Sequence, residues 1–302
     1  MLSLAIIMRK TYILARNNDL LFAITYVFRI FGDKLKRKKM KTSSYKWMLG
    51  IMLLGVLGCR NVGKQADSGK QVAPDDDGFV ALFDGKTLDN GEGDSVYWRV
   101  ENGCIVGEIT PATIVNRNTF LIWKGGAPAD FELKMDFRIS DKGNSGINYR
   151  SERMDDHPYA LRGYQSDIDG QKNYTGSNYE ERKRTTLASH GQKVVVRTQE
   201  NPDLQGSFEA NIVDNAWKSV EVVSSLGEID SLNAFIHDND WNTSHIIARG
   251  NRLQHYVNGV LMSDVTDDDT INRALSGFIG VQVHVGPPMK VEYRNILLKT
   301  LK

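Results

Sequence analysis

From Phe131 to Ile139 apolar and charged residues alternate without a break, Phe131, Leu133, Met135, Phe137 and Ile139 against Glu132, Lys134, Asp136 and Arg138. Successive side chains of an extended chain point to opposite faces, so this pattern specifies a strand with one face in a core and the other in water. Ile279, Val281, Val283 and Val285 alternate in the same way with Gly280, Gln282, His284 and Gly286. Shorter stretches of the same habit, 194–197, 245–249, 252–258 and 290–298, are separated by Gly, Asn, Asp or Pro. No stretch from residue 78 onward shows a helical period with caps, and many short strands without intervening helices predict an all-β fold, a sandwich or jelly roll. The sharpest turn is Val257-Asn258-Gly259-Val260, because Asn-Gly tolerates the positive φ values of a two-residue hairpin.

The N-terminal part follows a different logic. From Met40 the sequence runs MKTSSYKWMLGIMLLGVLGC, in which Lys41 and Lys46 precede an apolar stretch too short to span a bilayer. It ends Leu54-Gly55-Val56-Leu57-Gly58-Cys59, and a branched residue, a small residue and then Cys resembles the bacterial lipobox. Residues 40–58 therefore read as a lipoprotein signal peptide and Cys59 as the lipidated mature N-terminus. Residues 1–39 lack this order, two apolar runs broken by Arg9, Lys10, Arg16 and Asp19, and are expected to be an over-extended start, with Met40 as the true one. Residues 59–77 are polar and Gly-rich, which suits a flexible tether, and the folded domain is expected over 78–302. The expected location is the bacterial cell envelope, periplasm or outer membrane, with the lipid anchor as the only contact with a membrane. A chain with 38 basic and 37 acidic residues and a net charge of +1 offers no footprint for nucleic acid. A neutral ligand fits that balance better.

In a sandwich the solvated face of each strand can collect polar groups into a site. Tyr164, Ser166 and Ile168 share one side of their strand, leaving Gln165, Asp167 and Asp169 on the other. By the same alternation Asn148 and Arg150 oppose Ile147 and Tyr149, while Gln282 and His284 share the non-core face of a later strand. Asn144-Ser145-Gly146 is expected to form the turn that presents Arg150. The polar stretch 174–190 is expected to be a long loop beside this face, from which Tyr179, Arg184 and His190 close over a sugar. Asp167, Asp169 and His284 supply oxygen and imidazole donors suited to a divalent metal ion, without a diagnostic spacing.

In order along the chain, GFVALFDGKTLDN at 78–90, Trp98 followed by VENGCIVGE, ADFELKMDFRI at 129–139, GNSGINYRS at 143–151, GYQSDID at 163–169, DNDWN at 238–242, RGNRLQHYVNGVLMSD at 249–264 and GFIGVQVHVGPPMKVEYRNILLK at 277–299 resemble the 3-keto-disaccharide hydrolase domain family, the 3-keto-glycoside lyase/hydratase family. The resemblance implies a concanavalin A-like lectin/glucanase fold and chemistry on glycosides already oxidised to a ketone at C3. The ketone acidifies the hydrogen at C2, a base removes it, and the C1 substituent leaves by β-elimination, with or without later hydration. On this reading His284 or Asp167 is the base, and Arg150, with or without a divalent metal ion, stabilises the enediolate. Gln165, Gln282 and Asn148 orient hydroxyls. The competing expectation is a lectin-like module that binds carbohydrate without chemistry.

Overall fold

The computed structural model describes residues 77–302 apart from 156 and 199–216. The signal peptide and lipidation site predicted at 40–59 lie outside the described residues, as do residues 1–39 and nearly all of the tether.

Seventeen strands and one short helix make up the described residues. In chain order the strands are β1 (Val80–Ala81), β2 (Gly91–Glu92), β3 (Trp98–Glu101), β4 (Cys104–Ile109), β5 (Thr119–Trp123), β6 (Phe131–Ile139), β7 (Asn144–Arg153), β8 (Leu161–Asp169), β9 (Asn178–Glu181), β10 (Thr185–Ala188), β11 (Gln192–Val196), β12 (Val220–Ser225), β13 (Asn242–Arg249), β14 (Arg252–Val257), β15 (Val260–Asp267), β16 (Phe278–Val283) and β17 (Met289–Thr300). The helix, α1, is Ile229–Asn233. They form two sheets. One runs β12-β11-β15-β14-β13-β6-β17-β4-β3 with β1 against β17, and the other runs β10-β9-β8-β7-β16-β5-β2. The fold is the predicted all-β sandwich. Among the described residues its pairings are antiparallel save for β11 and β15, which run parallel.

Alternation explains how the layers meet. The five apolar residues of β6 are buried and the four charged ones are not; at roughly 2 kcal/mol for each large apolar side chain, that face alone gains about 10 kcal/mol before chain entropy is counted. Facing it from the second sheet are Ile147, Tyr149, Tyr164, Ile168, Ile279, Val281 and Val283, members of the same core. The predicted hairpin forms with Val257 opposite Val260, and Asn258 and Gly259 take φ values of 50° and 81°.

Two expectations fail. The stretch 174–190 is not one long loop, because β9 and β10 pair as a hairpin within it. Its polar residues are tolerated inside because they neutralise one another: Arg184, fully buried, donates to Glu180 at 2.5 Å and to Asp267 at 2.6 Å, and its third partner Asp269 lies at 3.3 Å. Nor is Asn144-Ser145-Gly146 a turn; it opens β7, with the Ser145 hydroxyl between the Gln282 carbonyl and the Tyr293 hydroxyl.

Arg150 marks a break in the alternation. The β7–β8 register shifts between Tyr149 and Glu152, and Arg150 takes a φ of 44°, the signature of a β-bulge. Gly277 and Gly163 hold the bulge from either side, since a Cβ on Gly277 would fall 2.4 Å from the Arg150 carbonyl carbon and one on Gly163 2.7 Å from Ser151 Cα. The bulge sends the arginine away from the outer face of its sheet. Buried, it donates to the carbonyls of Ala129 (2.8 Å) and Gly250 (2.7 Å) and to the Asp130 carboxylate (3.0 Å). These partners flank β6 and β13 of the opposite sheet, so Arg150 fastens the two layers at one end. Replacing it by Met is expected to lower unfolding free energy by about 2–4 kcal/mol, through carbonyls left without donors. Urea unfolding checks this; a change below 1 kcal/mol would show that the clamp contributes nothing.

Candidate active site

The outer face of the second sheet carries the site, and cross-strand register sets its layout. Gly280 pairs with Asn148 and Asn148 with Gln165, which in turn faces Tyr179. In the next row Gly146 pairs with Asp167. Asn144 pairs with Asp169 in the outermost row, and its carbonyl accepts from the His284 backbone at 3.4 Å.

Glycine at 146 opens the middle of the face. A Cβ there would stand 2.3 Å from Gln165 Cδ; without one, the Gln165 amide lies across β7. Its Nε2 donates to Asp167 Oδ1 at 2.7 Å, and its Oε1 accepts from Gln282 Nε2 at 3.0 Å. The same Gln282 nitrogen is 3.4 Å from Glu181 Oε2, while Asn118 Nδ2 donates to Glu181 Oε1 at 3.0 Å. Glu181 lies on β9, and β8 and β7 intervene before β16. In a flat sheet those backbones would be about 14 Å apart. The sheet therefore curls, and its concave side holds a cavity of about 430 Å³ lined by Asn118, Asn144, Gln165, Asp167, Ile168, Tyr174, Tyr179, Glu181, Arg182, Thr186 and His284.

Electrostatics separate the ionisable groups. Burial holds the Asp167 carboxyl far above the ordinary carboxylate range, at about 8; the Gln165 amide pulls against this, and the charges of Glu181 and Asp169 add to it. Asp167 is thus an acid at neutral pH. Burial also raises Glu181, opposed by Asn118, Arg182, His284 and Gln282. His284 Nδ1 sits 2.7 Å from the Val285 carbonyl, so Nδ1 carries a hydrogen, and in the neutral tautomer of that ring the lone pair is on Nε2.

Of the residues proposed from sequence, the structure brings Asp167, His284, Gln165 and Tyr179 to the cavity, with Gln282 behind them. It does not bring Arg150, Arg184, His190, Asn148 or Asp169 there. Arg150 and Arg184 are consumed by the contacts described above. His190 is buried with neither ring nitrogen bonded among the described residues, and burial lowers its pKa. Asn148 is on the expected face but fully covered, its amide without a hydrogen-bond partner among the described residues. Asp169 turns its carboxylate to its own following loop, accepting from the Asn173 backbone at 2.9 Å. The metal set Asp167, Asp169 and His284 accordingly does not assemble, and among the described residues no three His, Cys, Asp or Glu side chains stand as a ligand group.

Missed from the sequence were Glu181, Arg182, Asn118, Asn144, Tyr174 and Thr186. Tyr179 is expected over the site, but from a loop; because 178–181 is a strand instead, a step of two from Tyr179 reaches Glu181. Arg182, the cation of the cavity, lies at the hairpin tip with a φ of 56°, a conformation no alternation forecasts.

A two-sheet β-sandwich with a curled outer face, a protonated carboxyl, an imidazole and amide donors around one cavity defines a carbohydrate-active protein once its kinship is added. The sequence matches the 3-keto-alpha-glucoside-1,2-lyase-like domain over residues 78–299; the chain belongs to this family. No curated protein matches it. Among solved structures it is similar to two candidate glycosyl hydrolases from Parabacteroides distasonis ATCC 8503. One is 17% identical with a TM-score of 0.46, covering 77% of this chain and 99% of that one; the other is 15% identical with a TM-score of 0.47, covering 74% and 99%. A carbohydrate-binding module, CBM66 from Bacillus subtilis, is 14% identical with a TM-score of 0.39, covering 74% and 95%.

Proposed function

We propose that the cavity cleaves glycosides carrying a ketone at C3, by removal of the C2 proton and β-elimination of the C1 substituent. His284 Nε2 takes the C2 proton, and its electron pair delocalises into the C3 ketone as an enediolate beside the Arg182 guanidinium. When the pair returns to form the C1–C2 double bond, the C1–O bond breaks and the leaving oxygen takes the proton of Asp167. A 3-keto-2-hydroxy-glucal and a free alcohol result; the proton on the imidazole then passes to the Asp167 carboxylate through solvent, restoring both groups. Gln165 and Gln282 hold the Asp167 and Glu181 carboxyls in place. The observation that carries the reading is the meeting, in one cavity, of a carboxyl that burial keeps protonated to about pH 8 and an imidazole whose Nδ1 is committed to a carbonyl. On this reading the buried carboxyl is the acid and the imidazole the base.

The test is incubation of the purified chain with a 3-keto-disaccharide. Release of the hydroxy-glucal or of its hydration product, 3-keto-glucose, supports the proposal. Binding with the glycoside recovered intact would instead leave a lectin-like module.

We further propose that residues 40–58 direct export and that Cys59 carries the lipid that anchors the domain in the cell envelope, supported by the lipobox-like LGVLGC ending. Mass analysis of the mature N-terminus from a bacterial host is expected to show diacylglycerol on Cys59; an unmodified cysteine there would refute it.

A further inference from the structure

We infer that Glu181 is a positioning residue. Its carboxylate sets the direction of a hydrogen-bond relay through Gln282 and Gln165, and that direction confines the Asp167 proton to Oδ2, unclaimed by the relay. The inference rests on the reading of Asp167 as the acid that meets the leaving oxygen.

A primary amide donates from its nitrogen and accepts at its oxygen, so amides in series share one direction, set by whatever fixes an end. Here a backbone group fixes it. The Val285 N–H can only donate, and it donates to Asn118 Oδ1 at 2.9 Å. The other end of that amide, Nδ2, is therefore turned to Glu181, whose Oε1 accepts at 3.0 Å. Arg182 Nε lies 3.5 Å from the same oxygen, and Gln282 Nε2 lies 3.4 Å from Oε2. With donors at both oxygens, Glu181 is held as a carboxylate. A carboxylate only accepts, so Gln282 must turn its nitrogen towards it. That same nitrogen donates to Gln165 Oε1 at 3.0 Å, which leaves Gln165 Nε2 to donate to Asp167 Oδ1 at 2.7 Å. In a neutral carboxyl the carbonyl oxygen is the stronger acceptor, so Oδ1 is the carbonyl and the proton falls on Oδ2.

The direction is imposed at a cost, since it leaves Gln282 Oε1 buried without a hydrogen-bond partner among the described residues. Reversed, the relay would turn the Gln165 oxygen to Asp167 and engage the proton that the leaving group needs. Glu181 also acts on Asp167 through its plain charge, in a setting shared with Asp169, Tyr179, Arg182 and His284. The two effects have opposite signs. Burial does most to raise the Asp167 pKa, and the Gln165 bond lowers it by more than the Glu181 charge raises it.

The experiment is Glu181→Gln. Asn118 Nδ2 then meets the oxygen of the new amide, whose nitrogen faces Gln282 and reverses the relay. Loss of charge alone would lower the Asp167 pKa; reversal takes the Gln165 bond from the charged form and gives one to the neutral form, which raises it. Carbon-13 NMR of the Asp167 carboxyl, identified by its absence from Asp167→Asn, follows the titration without substrate. Its midpoint is expected to move upward from about 8 in Glu181→Gln; a midpoint that falls or stays would overturn the inference. On a 3-keto-glucoside at pH 7, kcat of the variant is expected to fall about tenfold with KM little changed, and an undiminished kcat would equally overturn it. Should the variant not fold, neutron diffraction from the unaltered chain locates the hydrogen, on Oδ2 as expected or on Oδ1, which would contradict the relay. Absence of turnover by the unaltered chain would refute the proposed function, while the NMR and neutron arms still decide the role of Glu181.

Discussion

Asp167→Asn is expected to lower kcat on a 3-keto-glucoside by about a thousandfold, within the range typical of a lost general acid. The change keeps the shape of the side chain and an oxygen for Gln165 Nε2, so substrate binding is expected to persist. The pH dependence carries the assignment. Only protonated Asp167 can deliver a proton, so kcat in the unaltered chain is expected to fall as pH rises through about 8, and this limb is expected to vanish in Asp167→Asn. Stability moves the other way. The folded carboxyl binds its proton up to about pH 8, against an ordinary value of 3.8. Between those values the folded state holds more protons than the unfolded one, and stability declines as pH rises across that window. Asn has no proton to lose, so the variant is expected to be more stable than the unaltered chain at pH 8.5, by about 1–3 kcal/mol. Urea unfolding at pH 5 and 8.5 measures it, and a variant less stable at the higher pH would contradict the burial of this carboxyl.

Arg184→Met is expected to be the most destabilising single change in the domain, at about 3–5 kcal/mol. The guanidinium lies between Glu180, Asp267 and Asp269, and Asp267 also accepts the Tyr164 hydroxyl at 2.5 Å. Burial alone would drive the arginine towards losing its proton, but the Glu180 and Asp267 carboxylates raise its pKa well above the ordinary value. Removing the cation leaves three carboxyl groups facing one another in the interior. The cluster joins the β9–β10 hairpin to the end of β15, and that hairpin carries Glu181 and Arg182. Activity is therefore expected to fall along with stability. A urea midpoint within 1 kcal/mol of the unaltered chain would show that the cluster is not holding the hairpin.

The fold was legible because its strands obey a period of two and its turns carry Gly and Asn. The same period placed Gln165, Asp167, Gln282 and His284 correctly on one face, since that assignment needs only a strand and a known core side. It failed at Arg150, where one bulged residue at positive φ reverses the direction that counting predicts. Arg184 failed for a related reason. A run of alternating charge reads as solvated loop, yet Glu180 and Arg184 enter the interior as mutual partners while Glu181 and Arg182, beside them, turn to the cavity. Pairings at long sequence separation, such as Asn118 with Glu181 or Gln282 with Gln165, depend on the curl of the sheet, which no local pattern records.

Departure of hydrogen from C2 is the step on which the mechanism turns, and a 3-keto-glucoside deuterated at that carbon follows it directly. A primary isotope effect on cleavage is expected, with products in which the C2 deuterium has been lost to water. Cleavage at an undiminished rate, with deuterium fully retained at C2, would place bond breaking at C1 without proton abstraction and contradict the mechanism.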